Sequence, residues 1–153
     1  MSDPDTARPS RPGPEHERLA AFVGRWKTRG EVRAGGNSPA LEIAGVDTYE
    51  WLPGGFFLLH RVDVRIGDER VEAVEVIGWD AAAGTYFAHS YDSRGSADTM
   101  RASVEGGVWT FLGKAERFTG GFSHGGRTLS GLWERREGSR WLPWMDVRLT
   151  KTA

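Results

Sequence analysis

The chain contains no cysteine, so disulfides, thiolate metal centres and cysteine nucleophiles are excluded. It also lacks any apolar run near the roughly 20 residues that a membrane-spanning helix needs. Neither sign of charge predominates. Twenty Lys and Arg face 21 Asp and Glu, and a net charge of −1 offers no electrostatic footprint for nucleic acid or an anionic membrane. The local basic pair Arg135-Arg136 is flanked by Glu134 and Glu137 and reads as a solvated strand edge. The first fifteen residues, MSDPDTARPSRPGPE, have no apolar centre and do not form a secretory signal, so a cytoplasmic protein is the default expectation.

What the chain has in excess is glycine and bulky aromatics. Its 21 glycines are roughly twice the usual share, and they accompany seven Trp and seven Phe. Many turn-capable residues beside many strand-favouring ones point to short strands rather than a helical bundle. A Pro-rich stretch with Ser, Asp and Arg over residues 1–13 reads as a flexible tail. One domain over 14–153 follows it. Pro14 suits the first turn of a helix, Glu15 and Glu17 favour that end, and Leu19, Phe22 and Val23 give an apolar stripe that Gly24 stops. A single short helix is expected over 14–22.

From Trp26 onward the period becomes two, with turn signals every eight to twelve residues. They include Pro53-Gly54-Gly55, Gly67-Asp68, Ser93-Arg94-Gly95, Gly106-Gly107, Gly125-Gly126 and Gly138-Ser139. About ten strand-length segments lie between them. The clearest runs from Phe56 to Ile66, where Phe56, Leu58, Val62, Val64 and Ile66 share one face and Arg61, Asp63 and Arg65 the other. Consecutive short strands joined by hairpins remove their exposed edges by closing. The expected fold is therefore all-β: a single antiparallel up-and-down barrel of about eight to ten strands, with the short helix closing one end. A β-sandwich is the main competitor.

The stretch Leu19-Ala-Ala-Phe-Val-Gly24-Arg-Trp26 places a Gly-x-Trp between helix and first strand. This resembles the opening signature of lipocalin-like (calycin) barrels. The resemblance implies that the helix plugs one end, that the Trp packs at the base, and that a late basic residue, Arg148 or Lys151, covers it. Two further stretches, Leu52-Pro-Gly-Gly55-Phe56-Phe57 and Val76-Ile-Gly78-Trp79-Asp80, the second continuing through Tyr86 to Asp92-Ser93-Arg94-Gly95, are similar to a bacterial branch of these barrels known mainly as a domain of unknown function. Haem-binding nitrobindin-like barrels share the early Gly-x-Trp, but they hold haem with a His near the C-terminal strands. Here that region offers only His124, in a Gly-rich turn, and nothing from Arg127 to Ala153 is a His. No cofactor and no metal are expected.

Alternation puts His60 on the inward face with Leu58 and Val62, either as a polar anchor or general base, or as a core histidine bonded to a neighbour. His89 shares a face with Phe87 and Tyr91, and which face is inward stays open. Glu75 has the parity of Val71, Ala73, Ile77 and Trp79. Burial would raise its pKa and suit it to proton transfer, but a β-bulge near Val74, leaving it in solvent, is the preferred expectation. Asp146 is expected in an ion pair. Gly121-Phe122-Ser123-His124-Gly125 matches the hydrolase elbow pattern, yet a β-run follows it, so a hairpin turn explains its glycines better.

The leading expectation is a barrel that binds a small, hydrophobic or aromatic ligand inside. Phe56, Leu58, Val62 and Trp79 would form walls, with His60, His89 and Tyr91 as polar contacts. The alternative is a small-molecule enzyme of isomerase, cyclase or hydrolase type using His60 or Glu75. A pocketless partner-binding module comes third, and a homodimer is left open. A cavity of a few hundred Å³ separates the first two from the third.

Overall fold

The computed structural model describes residues 11–153. The expected tail therefore falls largely outside the described residues. A helix α1 (Pro14–Arg18) starts at the predicted proline, where the Gly13 amide donates to His16 Nδ1 at 3.0 Å. The expected single helix is instead split. After Arg18 the chain tightens into a 3₁₀ turn, Leu19–Phe22. With three residues per turn, positions three apart eclipse, so Leu19 and Phe22 point together into the barrel and both are buried.

Ten strands follow: β1 (Gly24–Val32), β2 (Leu41–Trp51), β3 (Phe57–Ile66), β4 (Glu69–Asp80), β5 (Thr85–Asp92), β6 (Ala97–Glu105), β7 (Val108–Leu112), β8 (Glu116–Ser123), β9 (Thr128–Glu137) and β10 (Arg140–Lys151). Each pairs antiparallel with its neighbour in sequence, and β1 pairs with β10, closing the barrel. Closure leaves no open edge, and the sandwich alternative is set aside. The segment that matched the hydrolase elbow is the β8–β9 hairpin, with His124, Gly125 and Gly126 at positive φ. Among the described residues, no helix is long and apolar enough to cross a membrane.

The main core gathers at the helix end. Phe22 meets Trp109 at 5.0 Å and Phe122 at 5.1 Å between ring centroids, and Leu58, Ile77 and Leu149 fill around them. Trp26 is 1% exposed and donates Nε1–H to the Phe22 carbonyl at 2.8 Å. Of the two basic residues proposed to cover it, Lys151 does so, with Nζ 5.6 Å from the ring centroid. The Tyr86 hydroxyl donates to the Glu15 carbonyl at 2.7 Å and ties the helix to β5. A second, smaller cluster of Ile43, Val64 and Val71 lies nearer the other end.

Two inward glycines set how β1, β2 and their neighbours bend. A β-carbon at Gly45 would lie 2.2 Å from the Asp63 carbonyl oxygen, and one at Gly30 would lie 2.2 Å from that of Asp146. Both obstacles are backbone, which cannot swing aside as a side chain does. Only glycine permits this closeness between strands.

Candidate functional site

Between the two core clusters the inner wall turns polar. Register places Tyr49 of β2 opposite His60 of β3, and His60 opposite Glu75 of β4. Asp47 and Thr28 reach the same group diagonally, within the span that long cross-strand neighbours cover. Thr28 Oγ1 donates to Asp47 Oδ1. His60 Nε2 contacts Asp47 Oδ2 at 2.6 Å, and His60 Nδ1 contacts Glu75 Oε1 at 2.9 Å. Carboxylates only accept, so both ring nitrogens donate and the ring is an imidazolium. Tyr49 stacks on it at 3.8 Å between centroids with the planes 9° apart.

Burial alone would push the His60 pKa down. Hydrogen bonds to Asp47 and Glu75, together with their charges, outweigh that and lift it to about 9. The same two carboxylates act on Tyr49, whose pKa is raised well above 10, first by burial and then by their charge. Its hydroxyl therefore keeps its proton.

The upward shift of His60 has a definite sign in stability. The folded state holds the proton more tightly than the unfolded one, so the contribution is full below pH 6.5 and is lost as pH rises towards about 9. It amounts to roughly 3 kcal/mol. Urea midpoints should fall steeply between about pH 6 and about pH 9.5, a drop that a His60→Leu variant should lack. A flat wild-type profile would mean that the ring is neutral.

Two oxygens of this group have no hydrogen-bond partner among the described residues: Glu75 Oε2 and the Tyr49 hydroxyl. Yet no side-chain polar atom sealed from solvent lacks a partner there. Both oxygens must therefore border open space, although Tyr49 is only 8% exposed and the Glu75 side chain 13%. By contrast, both His60 nitrogens are engaged, leaving the ring no free atom for a ligand or a proton. As arranged, it acts through Glu75 and Asp47 rather than by contact.

The expected bulge near Val74 is absent. The β3–β4 register runs unbroken from Phe57 opposite Gly78 to Ile66 opposite Glu69, so Glu75 points inward. Its charge is met by His60, which removes the reason for turning it out. The irregularity occurs instead in β10, between Pro143 and Met145. Leu58 is fully buried, and Val62 and Trp79 are inward and half-buried, as alternation predicts. His89 and Tyr91 are corrections. In β5 the buried residues are Tyr86 and Ala88, so His89 and Tyr91 lie on the outer face, where Tyr91 is 61% exposed. Phe56 precedes β3 and meets His16 edge-on at 5.4 Å, at the helix end and away from the polar group. Asp146 forms the expected ion pair, a two-pronged contact with Arg33 at 2.8 and 3.0 Å. Thr28, Asp47 and Tyr49 were not singled out in the sequence, although Asp47 and Tyr49 share the parity of Ile43 and Trp51.

Among the described residues, clefts open on the barrel. One of about 980 Å³ lies between the N-terminal segment and β4–β6, beside Phe57, Phe87 and His89. Another, about 660 Å³, lies over β2–β5 beside Arg61 and Tyr91.

In fold the chain is similar to the crystal structure of Rv2717c from M. tuberculosis, with a TM-score of 0.70 and 15% identity, over 92% of this chain and 99% of that one. A de novo designed fluorescence-activating β-barrel is more distant, with a TM-score of 0.48 and 12% identity over 88% of this chain and 97% of the design. No curated protein matches the chain. Residues 11–130, most of the described barrel, match the family described as protein of unknown function DUF1579, and the chain belongs to that family.

Proposed function

We propose that the barrel binds a small, largely apolar molecule in its interior, with Glu75 and Tyr49 as its polar contacts. The observation that carries this reading is the pair of unpartnered oxygens bordering open space on the polar stretch of inner wall between two apolar clusters. Polar groups left without partners inside a barrel are costly unless water or a ligand completes them. Leu58, Val62 and Trp79 would supply walls, and His60 would hold the two carboxylates in place.

Proton transfer on such a molecule is a second reading, favoured by the free Glu75 oxygen. In that case Glu75, not His60, is the group in contact. Glu75→Gln should then abolish turnover while sparing affinity for an uncharged ligand.

Interior binding is tested with 1-naphthalenemethanol, followed by its own fluorescence and by calorimetry. A one-to-one complex is expected. Ser90 has the inward parity of β5, lies directly opposite Glu75 and lines neither cleft, and Ser90→Phe should weaken the complex by about tenfold or more by filling that space. Equal binding by the variant would move the ligand to an outer cleft and overturn the reading.

A further inference from the structure

The polar group on β2–β4 is part of a longer ribbon. Register carries it across five adjacent strands: Tyr49 opposite His60, His60 opposite Glu75, Glu75 opposite Ser90, and Ser90 opposite Asp98. Ser90 has the parity of buried Ala88, and Asp98 that of buried Met100, so the ribbon follows the inner wall. Asp98 is exposed, which places this end of the ribbon at the barrel mouth.

The ribbon is acidic on balance. Among its described residues, the three carboxylates Asp47, Glu75 and Asp98 are set against one cation, His60. Glu116 on β8 feels the same field. Burial raises its pKa first, Asp98 and Asp92 raise it further, and Arg135 opposes them. Arg135 is itself drawn to the Trp144 ring, 3.8 Å from its centroid. The interior on the β4–β6 side is therefore anionic.

The far wall is aromatic. The Phe118 ring lies across two inward glycines: β-carbons at Gly120 and Gly131 would come within 2.6 and 2.3 Å of its atoms. With no side chains at those positions, the ring lies against β8 and β9 instead of reaching towards β3 and β4. Trp133, its ring centroid 5.2 Å from that of Phe118 and its plane tilted by 51°, lines the wall beside it.

The independent sign of a ligand is Tyr49. It is more than nine-tenths buried, its hydroxyl has no partner among the described residues, and its ring stacks on the imidazole whose Nδ1 bonds Glu75. A protonated amine suits this pair, donating one N–H to the carboxylate and another to the phenol oxygen. An anion would meet like charge. A metal ion lacks convergent ligands, since the His60 ring stands between the Asp47 and Glu75 carboxylates. No group of three or more His, Asp or Glu side chains converges on a metal position among the described residues.

The geometry points to a cationic amphiphile as the occupant: a small molecule with a primary or secondary ammonium group seated between Glu75 Oε2 and the Tyr49 hydroxyl, and an aromatic or alicyclic body against Phe118 and Trp133. This rests on the interior-binding reading and names the chemical class of its ligand.

The test uses three probes with one apolar body: 1-naphthylmethylamine, 1-naphthalenemethanol and 1-naphthoate. The amine should bind at least about tenfold more tightly than the alcohol, and the carboxylate should not bind measurably. Glu75→Gln keeps an oxygen to accept from His60 and should bring the amine to the alcohol's level. Tyr49→Phe should weaken the amine by about fivefold. Circular dichroism confirms that each variant is folded. An alcohol or carboxylate that binds as well as the amine, an amine preference that survives Glu75→Gln, or displacement of the amine by millimolar Mg²⁺ or Zn²⁺ overturns the amine assignment while leaving interior binding intact. Failure of all three probes overturns interior binding and the amine assignment with it.

Discussion

Truncating His60 to alanine should destabilise the fold by about 3–5 kcal/mol, a large share of the roughly 5–15 kcal/mol that holds a domain of this size. The substitution removes the cation that bonds both Asp47 and Glu75, whose side chains are 9% and 13% exposed. Two carboxylates are then left facing each other without enough water to solvate them. The loss exceeds that of an ordinary core truncation because repulsion is added to the cavity. A triple variant, Asp47→Leu with His60→Leu and Glu75→Leu, removes the charges together and should be at least as stable as the wild type. Urea unfolding of the two variants side by side checks the contrast. Should His60→Ala cost under about 1 kcal/mol, the cluster is not the charged group described here. A group that leucines replaced without loss of stability would have its reason in the proposed ligand site rather than in the fold.

Much of the fold is legible because it rests on local chemistry. The glycines that punctuate the sequence lie where the backbone turns left-handed: Gly67, Gly84, Gly95, Gly106, Gly107, Gly125, Gly126 and Gly138 all have positive φ. The alternation of β3 survives from Phe57 to Ile66 because one face packs and the other is wet. Closure is different in kind. It depends on β1 pairing with β10, from Trp26 opposite Lys151 to Val32 opposite Met145, and no local pattern encodes a contact over that separation. The break in the helix at Arg18 was hidden for a related reason. Docking Leu19 and Phe22 against the barrel selects the tighter turn, and the segment by itself is too short to impose one helical form.

The site is legible only in its centre. Parity alone turns His60 inward, but a buried carboxylate is costly in isolation, and that cost argued for a bulge at Glu75. The partner that removes the cost is fifteen residues away on the neighbouring strand. Asp47 was obscured because Ala44 and Val46 put apolar residues on the outer face of β2, which blurs its alternation. In β5 the aromatic set Phe87, His89 and Tyr91 looked as fit for a core as Tyr86, Ala88 and Ser90. The barrel buries the smaller set. Across a barrel interior already crowded by Phe111, Phe118 and Trp109, small residues on one wall match large ones on the other.

Replacing Trp26 with alanine should cost about 3–5 kcal/mol, through the opposite route from His60. There is no charge to strand here; the loss is of packing at the plugged end. Trp26 is 1% exposed, between Phe122 at 6.1 Å and the Lys151 ammonium at 5.6 Å, and its ring is among the largest fully buried side chains. Its Nε1–H also holds the Phe22 carbonyl at the end of the 3₁₀ turn, so truncation leaves that acceptor unpaired as well as opening a cavity. Trp26→Phe separates the two effects. It keeps most of the apolar bulk but cannot donate, and should cost about 1–3 kcal/mol. Lys151→Met, which removes only the cation over the ring, should cost about 0.5–1 kcal/mol. Urea midpoints should therefore fall in the order Lys151→Met, Trp26→Phe, Trp26→Ala. If Trp26→Phe proved as damaging as Trp26→Ala, the hydrogen bond to Phe22 would dominate. If both were mild, the helix would not be anchored through this ring. The apolar plug and the charged wall meet where Trp26 stands directly opposite Asp47 in the β1–β2 register. Combining Trp26→Phe with Asp47→Leu/His60→Leu/Glu75→Leu should therefore depart from additivity by about 0.5 kcal/mol or more, which urea unfolding of the combined variant checks.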